Sequence, residues 1–202
     1  MRNGKGHCRR RALAPLTSLI AMLALGGIAS AAGTVVFDGS AGTRKPPRWL
    51  QGKRMQQFAR DRRKLGGNVT RVTGPTGAII FDHPLSHGRA RSAWWRTWSN
   101  RYRGDVYFTY RPVTIRLPAG TTAFYLYAEP NDGLWFDVTA RTTGATSGRV
   151  RVNGLGGAKF FGFVAAGGAT LTTITVSSSD THNKKRHLAG GFAIGEFGIH
   201  KG

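Results

Sequence analysis

After residue 68 the apolar side chains fall at every second position for most of the chain, the period of strands with one covered face. Residues 69–72 and 78–81 read as two strands joined by the turn-forming tetrapeptide Gly74-Pro75-Thr76-Gly77. Val106, Phe108 and Tyr110 alternate with polar neighbours, as do Val113, Ile115 and Leu117. Residues 123–128 (Ala-Phe-Tyr-Leu-Tyr-Ala) are apolar without alternation, which predicts a central strand covered on both sides. Asn131-Asp132-Gly133 is a turn signal, and beyond it Leu134, Phe136, Val138 and Ala140 alternate with Trp135, Asp137, Thr139 and Arg141. Val150 and Val152 continue the pattern. Residues 159–165 form a Phe-rich strand closed by Gly167-Gly168, with residues 171–177 as its Thr-rich partner. A polar, basic loop over 178–188 precedes a last strand over 190–199. Nine or ten strands at a spacing of roughly ten residues predict an all-β fold, an antiparallel sandwich of jelly-roll type.

The first 67 residues differ in kind. Arg2, Lys5 and Arg9–Arg11 precede an uncharged apolar run over 12–28 and the small-residue site Ala29-Ser30-Ala31. That order predicts a secretory signal peptide over 1–31, because the run is short for a membrane span and a cleavage site follows it. Arg10-Arg11 leaves the general and the twin-arginine export routes both open. A short strand over 35–39 follows. Residues 46–65 then place basic side chains around Trp49, Leu50, Met55, Phe58 and Leu65. Met55, Phe58 and Leu65 could share one face of a basic helix, or the segment is an ordered loop pinned to the sheet by its apolar residues. The chain is thus divided into the signal (1–31), a first strand with this insertion (32–67) and the sandwich (68–202), the last two being one domain.

Charge sharpens this picture. The 30 Lys and Arg against 9 Asp and Glu give a formal +21, and loss of the signal leaves +16. Of that, +13 lies in residues 32–118 and +3 in residues 119–202. The single cysteine, Cys8, leaves with the signal, so disulfides and cysteine chemistry are excluded from the exported product.

The stretches Trp98-Ser99-Asn100-Arg101-Tyr102-Arg103-Gly104-Asp105-Val106-Tyr107, Leu117-Pro118-Ala119-Gly120-Thr121-Thr122-Ala123-Phe124-Tyr125-Leu126-Tyr127-Ala128-Glu129-Pro130, Gly157-Ala158-Lys159-Phe160-Phe161-Gly162-Phe163 and Phe192-Ala193-Ile194-Gly195-Glu196-Phe197-Gly198-Ile199 carry a resemblance. Over roughly residues 65–200 the chain resembles secreted bacterial β-sandwich proteins that often bear a PEP-CTERM sorting tail, largely without assigned function. The resemblance implies export and a sandwich fold and transfers no catalytic residue. The chain departs from it in its arginine content. Its final residues, Ile199-His200-Lys201-Gly202, also lack the Pro-Glu-Pro motif, so anchoring through a tail is not expected.

Candidate chemistry is sparse. Trp94, Trp95, Trp98 and Tyr102 lie among Arg89, Arg91, Arg96, Arg101 and Arg103, a composition suited to stacking on sugars and gripping carboxylate or phosphate. The plainer alternative is that two of the tryptophans plug the end of the sandwich. Arg44, Lys45, Arg48, Lys53, Arg54, Arg60, Arg62, Arg63 and Lys64 form a second basic region, with Arg71 just beyond and Asp61 as its sole acid. His83 and His87 would clasp a metal on a helix, but Pro84 breaks one, which leaves loop histidines. Ser86 and Ser99 stand in no nucleophile motif. Glu129, Asp132 and Asp137 flank a turn and are weak calcium candidates, lacking the spacing of a known loop.

At Gly195-Glu196 the apolar phase of the last strand switches, which predicts a bulge or a strand covered on both faces. A carboxylate there calls for a partner, and the expectation is an ion pair with an arginine whose loss in Glu196→Gln lowers thermal stability.

Three functions follow in order. The first is a secreted, non-enzymatic sandwich that binds an extracellular ligand or envelope component, such as an acidic glycan, through residues 94–103. The second is a general polyanion binder working through residues 44–64. Export argues against genomic DNA as its partner and leaves envelope lipid or extracellular nucleic acid. The third is a hydrolase, which requires clustered acids or histidines that spacing alone does not show. No cofactor is read from the sequence.

Overall fold

The computed structural model describes residues 33–42, 45–91, 95–131, 133, 135–180 and 191–202. The signal region, Arg44, Trp94, Asp132, Leu134 and residues 181–190 of the basic loop lie outside the described residues. Fifteen strands run along the described chain: β1 (Thr34–Asp38), β2 (Trp49–Leu50), β3 (Lys53–Arg54), β4 (Gln56–Gln57), β5 (Asn68–Gly74), β6 (Gly77–Arg89), β7 (Asp105–Thr109), β8 (Val113–Arg116), β9 (Thr121–Pro130), β10 (Trp135–Thr142), β11 (Ala145–Thr146), β12 (Val150–Asn153), β13 (Lys159–Ala166), β14 (Thr173–Asp180) and β15 (Phe192–Lys201). A single 3-10 turn, Ser99–Arg101, is the helical content among these residues, and no described helix is long and apolar enough to cross a membrane.

The fold is all-β and antiparallel throughout its ladders. One hydrogen-bonded path, β1-β13-β9-β15-β7-β6-β8-β14-β10-β11, carries β5 on β6, β4 on β15 and β12 on β10. Its two ends, β1 and β11, approach one another. The path folds over so that Phe124, Leu126, Phe161, Phe163 and Ile194 from one side pack against Ile115, Val138, Ile174 and Val176 from the other. Side chains of period two explain the apolar run in β9. Phe124, Leu126 and Ala128 enter this main core, while Ala123, Tyr125 and Tyr127 enter a second cluster on the opposite face. Leu50, Met55, Trp95 and Trp98 cover that second face.

β6 joins the two layers. Ile80 and Phe81 pair with β8, and Ser86 to Arg89 pair with β7. Between them Asp82, His83 and Pro84 have no ladder partner on either side, so the missing N–H of Pro84 costs no hydrogen bond. The sequence placed a loop here. The structure shows a continuous strand in which Ile79, Phe81, His83, Leu85 and His87 all point inward.

Three other expectations change. Residues 46–65 form no helix, and the loop alternative holds. Leu50 and Met55 anchor the segment, β2 and β3 close a hairpin, and Gln56 and Gln57 add an edge to β15. β14 is not the partner of β13. It pairs with β8 and β10, whereas β13 pairs with β1 and β9, so the Gly167-Gly168 turn carries the chain between layers. The turn signal at residues 131–133 likewise joins β9 to β10, which are not hydrogen-bonded neighbours.

The bulge in β15 is real and has a clear consequence. Gly195 pairs with Tyr127 and Gly198 with Tyr125, so Glu196 and Phe197 together oppose Leu126. Glu196 takes a φ of +52°. The extra residue returns Phe197 and Ile199 to the main core and turns the carboxylate to the second face. Gly198 is required beside it, because a Cβ there would lie 2.1 Å from the Tyr125 ring.

Candidate functional site: an aromatic and arginine groove

Residues 59–67 cross the edge of β6 and β7 and are held there by a buried polar network. His87 Nε2 lies 2.9 Å from Asp105 Oδ1, with both side chains buried. The other oxygen, Asp105 Oδ2, accepts the Asp61 backbone N–H at 2.6 Å. Gly66 N–H donates to the His87 carbonyl, and His87 N–H donates to that of Gly67. Tyr107 stacks its ring on His87 at 5.4 Å and donates its hydroxyl to Asp61 Oδ2 at 3.0 Å. Arg63 Nε and Nη2 grip the same carboxylate. The Arg63 hydrogen bonds hold Asp61 well below the usual carboxylate range, against the upward pull of burial. Burial pushes the Tyr107 phenol up, and the neighbouring Asp61 carboxylate adds to this.

This pinned segment fixes where its arginines project. An open cleft of about 520 Å³ has Leu65, Trp95, Phe108 and Tyr110 as apolar walls, with Ser86, His87, Arg89 and Asn131 as polar lining. Tyr110 is 67% exposed and packs edge-on against Phe108 at 4.6 Å. Arg89 also lines the next cleft, with Arg60, Asp61 and Arg62. Residues 59–62 in turn line a third, with Arg63, Arg71 and Thr73. Arg89 borders the first and second clefts, and Ala59, Arg60, Asp61 and Arg62 border the second and third, so the three adjoin as a groove, aromatic at one end and cationic along the rest. Arg60, Arg62, Arg63 and Arg71 are exposed.

The candidates near residue 98 follow the plainer of the two sequence readings, in which two tryptophans are buried and the arginines are solvated. Trp95 and Trp98 are buried in the second cluster and Tyr102 is half-buried, so neither indole offers a face for stacking. Arg96, Arg101 and Arg103 are exposed on the loop that carries them, and Trp94 lies outside the described residues. The loop is fastened to the sheet by two buried carboxylates. Trp98 Nε1–H donates to Glu196 Oε2 at 3.0 Å. Thr97 Oγ1–H donates to Glu129 Oε1, and the Ala158 backbone bonds Glu129 as well. Glu129 Oε2 is buried with no partner among the described residues. Burial pushes both carboxyls up to about 7, with these hydrogen bonds opposing the shift. The arginine expected beside Glu196 is therefore replaced by a neutral donor, the Trp98 indole, because the bulge aims the side chain at an aromatic layer.

The remaining candidates do not assemble. Glu129 and Asp137 lie on β9 and β10, which do not pair, and Glu129 is committed to the loop, so the calcium reading has no site in the described residues. No group of three His, Cys, Asp or Glu able to hold a metal occurs among them. His83 and His87 share a strand face four residues apart, about 13 Å, too far for one ion. His83 instead lies 2.7 Å from Asp82 Oδ1 and 3.0 Å from Thr109 Oγ1. In the basic insertion, Lys45, Arg48, Arg54, Arg60, Arg62, Arg63 and Lys64 are exposed and Lys53 is half-buried, while Arg44 lies outside the described residues.

No protein-family model matches the chain, and no curated protein matches it. Among solved structures it is similar to the M60 catalytic domain with the CBM51-1 and CBM51-2 domains of ZmpB from Clostridium perfringens, at 10% identity and a TM-score of 0.32. The alignment covers 75% of this chain, which spans 14% of that one.

Proposed function

We propose that the protein is an exported, non-enzymatic β-sandwich that binds an acidic polysaccharide along the groove. The observation that carries this is Arg89, which borders both an aromatic cleft and an arginine-lined one. A sugar ring has apolar faces that stack on Tyr110, and uronic acid or sulfate groups along the polymer meet Arg89, Arg60, Arg62 and Arg71. The residues lining the arginine clefts include one acid, Asp61, and its charge is taken up by Arg63. The exposed Arg60, Arg62, Arg63 and Arg71 draw such a polymer to the groove.

Electrophoresis in gels containing polygalacturonate, dextran or duplex DNA tests the reading. The protein is expected to be retarded by polygalacturonate and not by dextran. Tyr110→Ala and the double variant Arg60→Ala/Arg62→Ala should each weaken retardation about tenfold. Equal retardation by dextran, or groove variants that run like the parent, would overturn it. Stronger retention by DNA than by polygalacturonate, lost in the arginine variant alone, would favour the general polyanion binder instead.

A further inference from the structure

The β2–β3 hairpin exposes a tryptophan that the fold does not use. Trp49 is 60% exposed, while its neighbour Leu50 is fully buried. Among the described residues no aromatic ring packs against the Trp49 indole. The hairpin that carries it is firmly built. Gln51 and Gly52 both take positive φ, as a two-residue hairpin turn requires, and the Met55 N–H closes on the Arg48 carbonyl at 2.8 Å. Gln51 Nε2–H donates to Asp38 on β1, and His200 Nδ1 lies 2.9 Å from the Arg54 carbonyl on β3. Leu50 and Met55 tie the base into the second cluster.

The register makes Trp49 and Arg54 direct cross-strand partners, which places both side chains on the same outward face of the ribbon. Around them lies an open cleft of about 460 Å³ lined by Pro47, Arg48, Trp49, Arg54, Met55 and Gln57. No acid lines it. Its donors are two guanidinium groups and an amide, set beside a flat indole.

We propose that this hairpin is a second carbohydrate site, in which Trp49 stacks on one face of a sugar ring and Arg54 holds that sugar's carboxylate. For the class of ligand it rests on the acidic-polysaccharide reading of the groove, but its residues are separate from those of the groove. A lipid surface fits the hairpin less well. The tip that would enter a membrane is Gln51-Gly52, which carries no apolar side chain, and the indole sits at the base of the ribbon in a cleft it shares with Arg48, Arg54 and Gln57. The two sites lie on one short stretch of chain. Gln57 of the hairpin cleft is two residues from Ala59 of the groove, at most about 7 Å of extended backbone. One long polymer that engages both gains affinity from the shared chain, whereas a short oligomer does not.

Nitrogen-detected indole resonances of the full chain test the proposal, with the Trp49 signal assigned by its loss in Trp49→Phe. Titration with tetragalacturonate is expected to move the Trp49 signal to saturation. Arg54→Ala should weaken that response at least fivefold, and the groove variant Arg60→Ala/Arg62→Ala should leave it within about twofold. Polygalacturonate binding should fall about tenfold in Trp49→Ala and recover in Trp49→Phe, both substitutions being at the surface. A silent Trp49 signal while polygalacturonate still binds through the groove sinks the hairpin site and leaves the groove reading standing. Loss of groove binding with a responsive Trp49 does the reverse, and silence in both assays removes both. An equal response to maltotetraose overturns the assignment to an acidic sugar. A response to phosphatidylglycerol vesicles alone overturns it in favour of lipid.

Discussion

Glu196 shows how far a single residue can be read before its neighbours are known. The phase switch at Gly195-Glu196 was visible in the sequence and marks a true bulge, but the partner was not. Alternation shows that a face is covered without showing what covers it, and here Trp98 arrives from about a hundred residues away. The consequence for stability reverses. Burial raises the Glu196 carboxyl from 4.5 to about 7 and does the same for Glu129. A raised carboxyl stabilises the fold below the unfolded value of 4.5, and that contribution is lost as pH climbs through about 7. Full loss amounts to about 3 kcal/mol for each group at 1.36 kcal/mol per unit. Glu196→Gln keeps an oxygen for the Trp98 N–H and removes the charge. It is therefore expected to melt on the order of 10 °C above the parent at pH 8 and close to it at pH 4.5. Melting curves at the two pH values check this, and a variant less stable at pH 8 would restore the ion-pair reading. Asp61 acts with the opposite sign: its carboxyl is lowered, so its contribution is present above 3.8 and disappears as pH falls below that value.

At the scale of elements, strands were legible where period two ran uninterrupted, as in β8 and β10, and in β9 from its unbroken apolar run. Reading failed where the local signal and the tertiary context disagree. Pro84 and two histidines suggested a loop, yet β6 continues because its unpaired corner falls on the proline. Gly167-Gly168 suggested a hairpin, and nothing local distinguishes such a turn from one that changes layers. The loop over 95–103 supports two readings in sequence for a related reason. Its tryptophans look like a binding surface beside so many arginines, but β9 and β15 are apolar on both faces, and these indoles are part of what covers them, as the plainer reading has it. The loop's attachment rests on Trp98, which supplies both apolar burial and the N–H to Glu196. Trp98→Phe keeps most of the burial and orphans the carboxylate, at a cost of about 1–3 kcal/mol. Because Arg96, Arg101 and Arg103 are exposed, limited trypsin digestion reports whether the loop stays down. Cleavage at these three sites should accelerate about tenfold in Trp98→Phe, and more at pH 8 than at pH 5, where a protonated Glu196 no longer carries a buried charge. Unchanged digestion would show that packing alone holds the loop.

Over the whole molecule, the uneven charge was evident from the sequence, and its geometry was not. The arginines of residues 59–71 gather into one groove because His87 and Asp105 pin the segment between them, and Tyr110 joins it because β7 ends one residue earlier. A basic surface and a built groove make different predictions as salt rises. Diffuse attraction spreads over every exposed cation, so removing two of them changes the salt dependence little. A groove concentrates the contacts, and each polymer charge neutralised there releases a counterion at about 0.7 per contact for a single-stranded polyanion. With Arg89, Arg60, Arg62 and Arg71 engaged, the groove should make log affinity for polygalacturonate fall with log salt at a slope of about −2.8, roughly a 50-fold loss between 50 and 200 mM NaCl. In Arg60→Ala/Arg62→Ala the slope should drop to about −1.4, a loss of about sevenfold over the same range. Removing Arg141 and Arg149 instead, which are equally exposed but line neither the groove nor the hairpin cleft, should leave the slope within a few tenths of the parent value. If both double variants lower the slope alike, charge acts without a site and the groove has no special part in binding. If only the groove pair does, residues that the chain holds in register by a buried histidine and aspartate are the ones that meet the polymer.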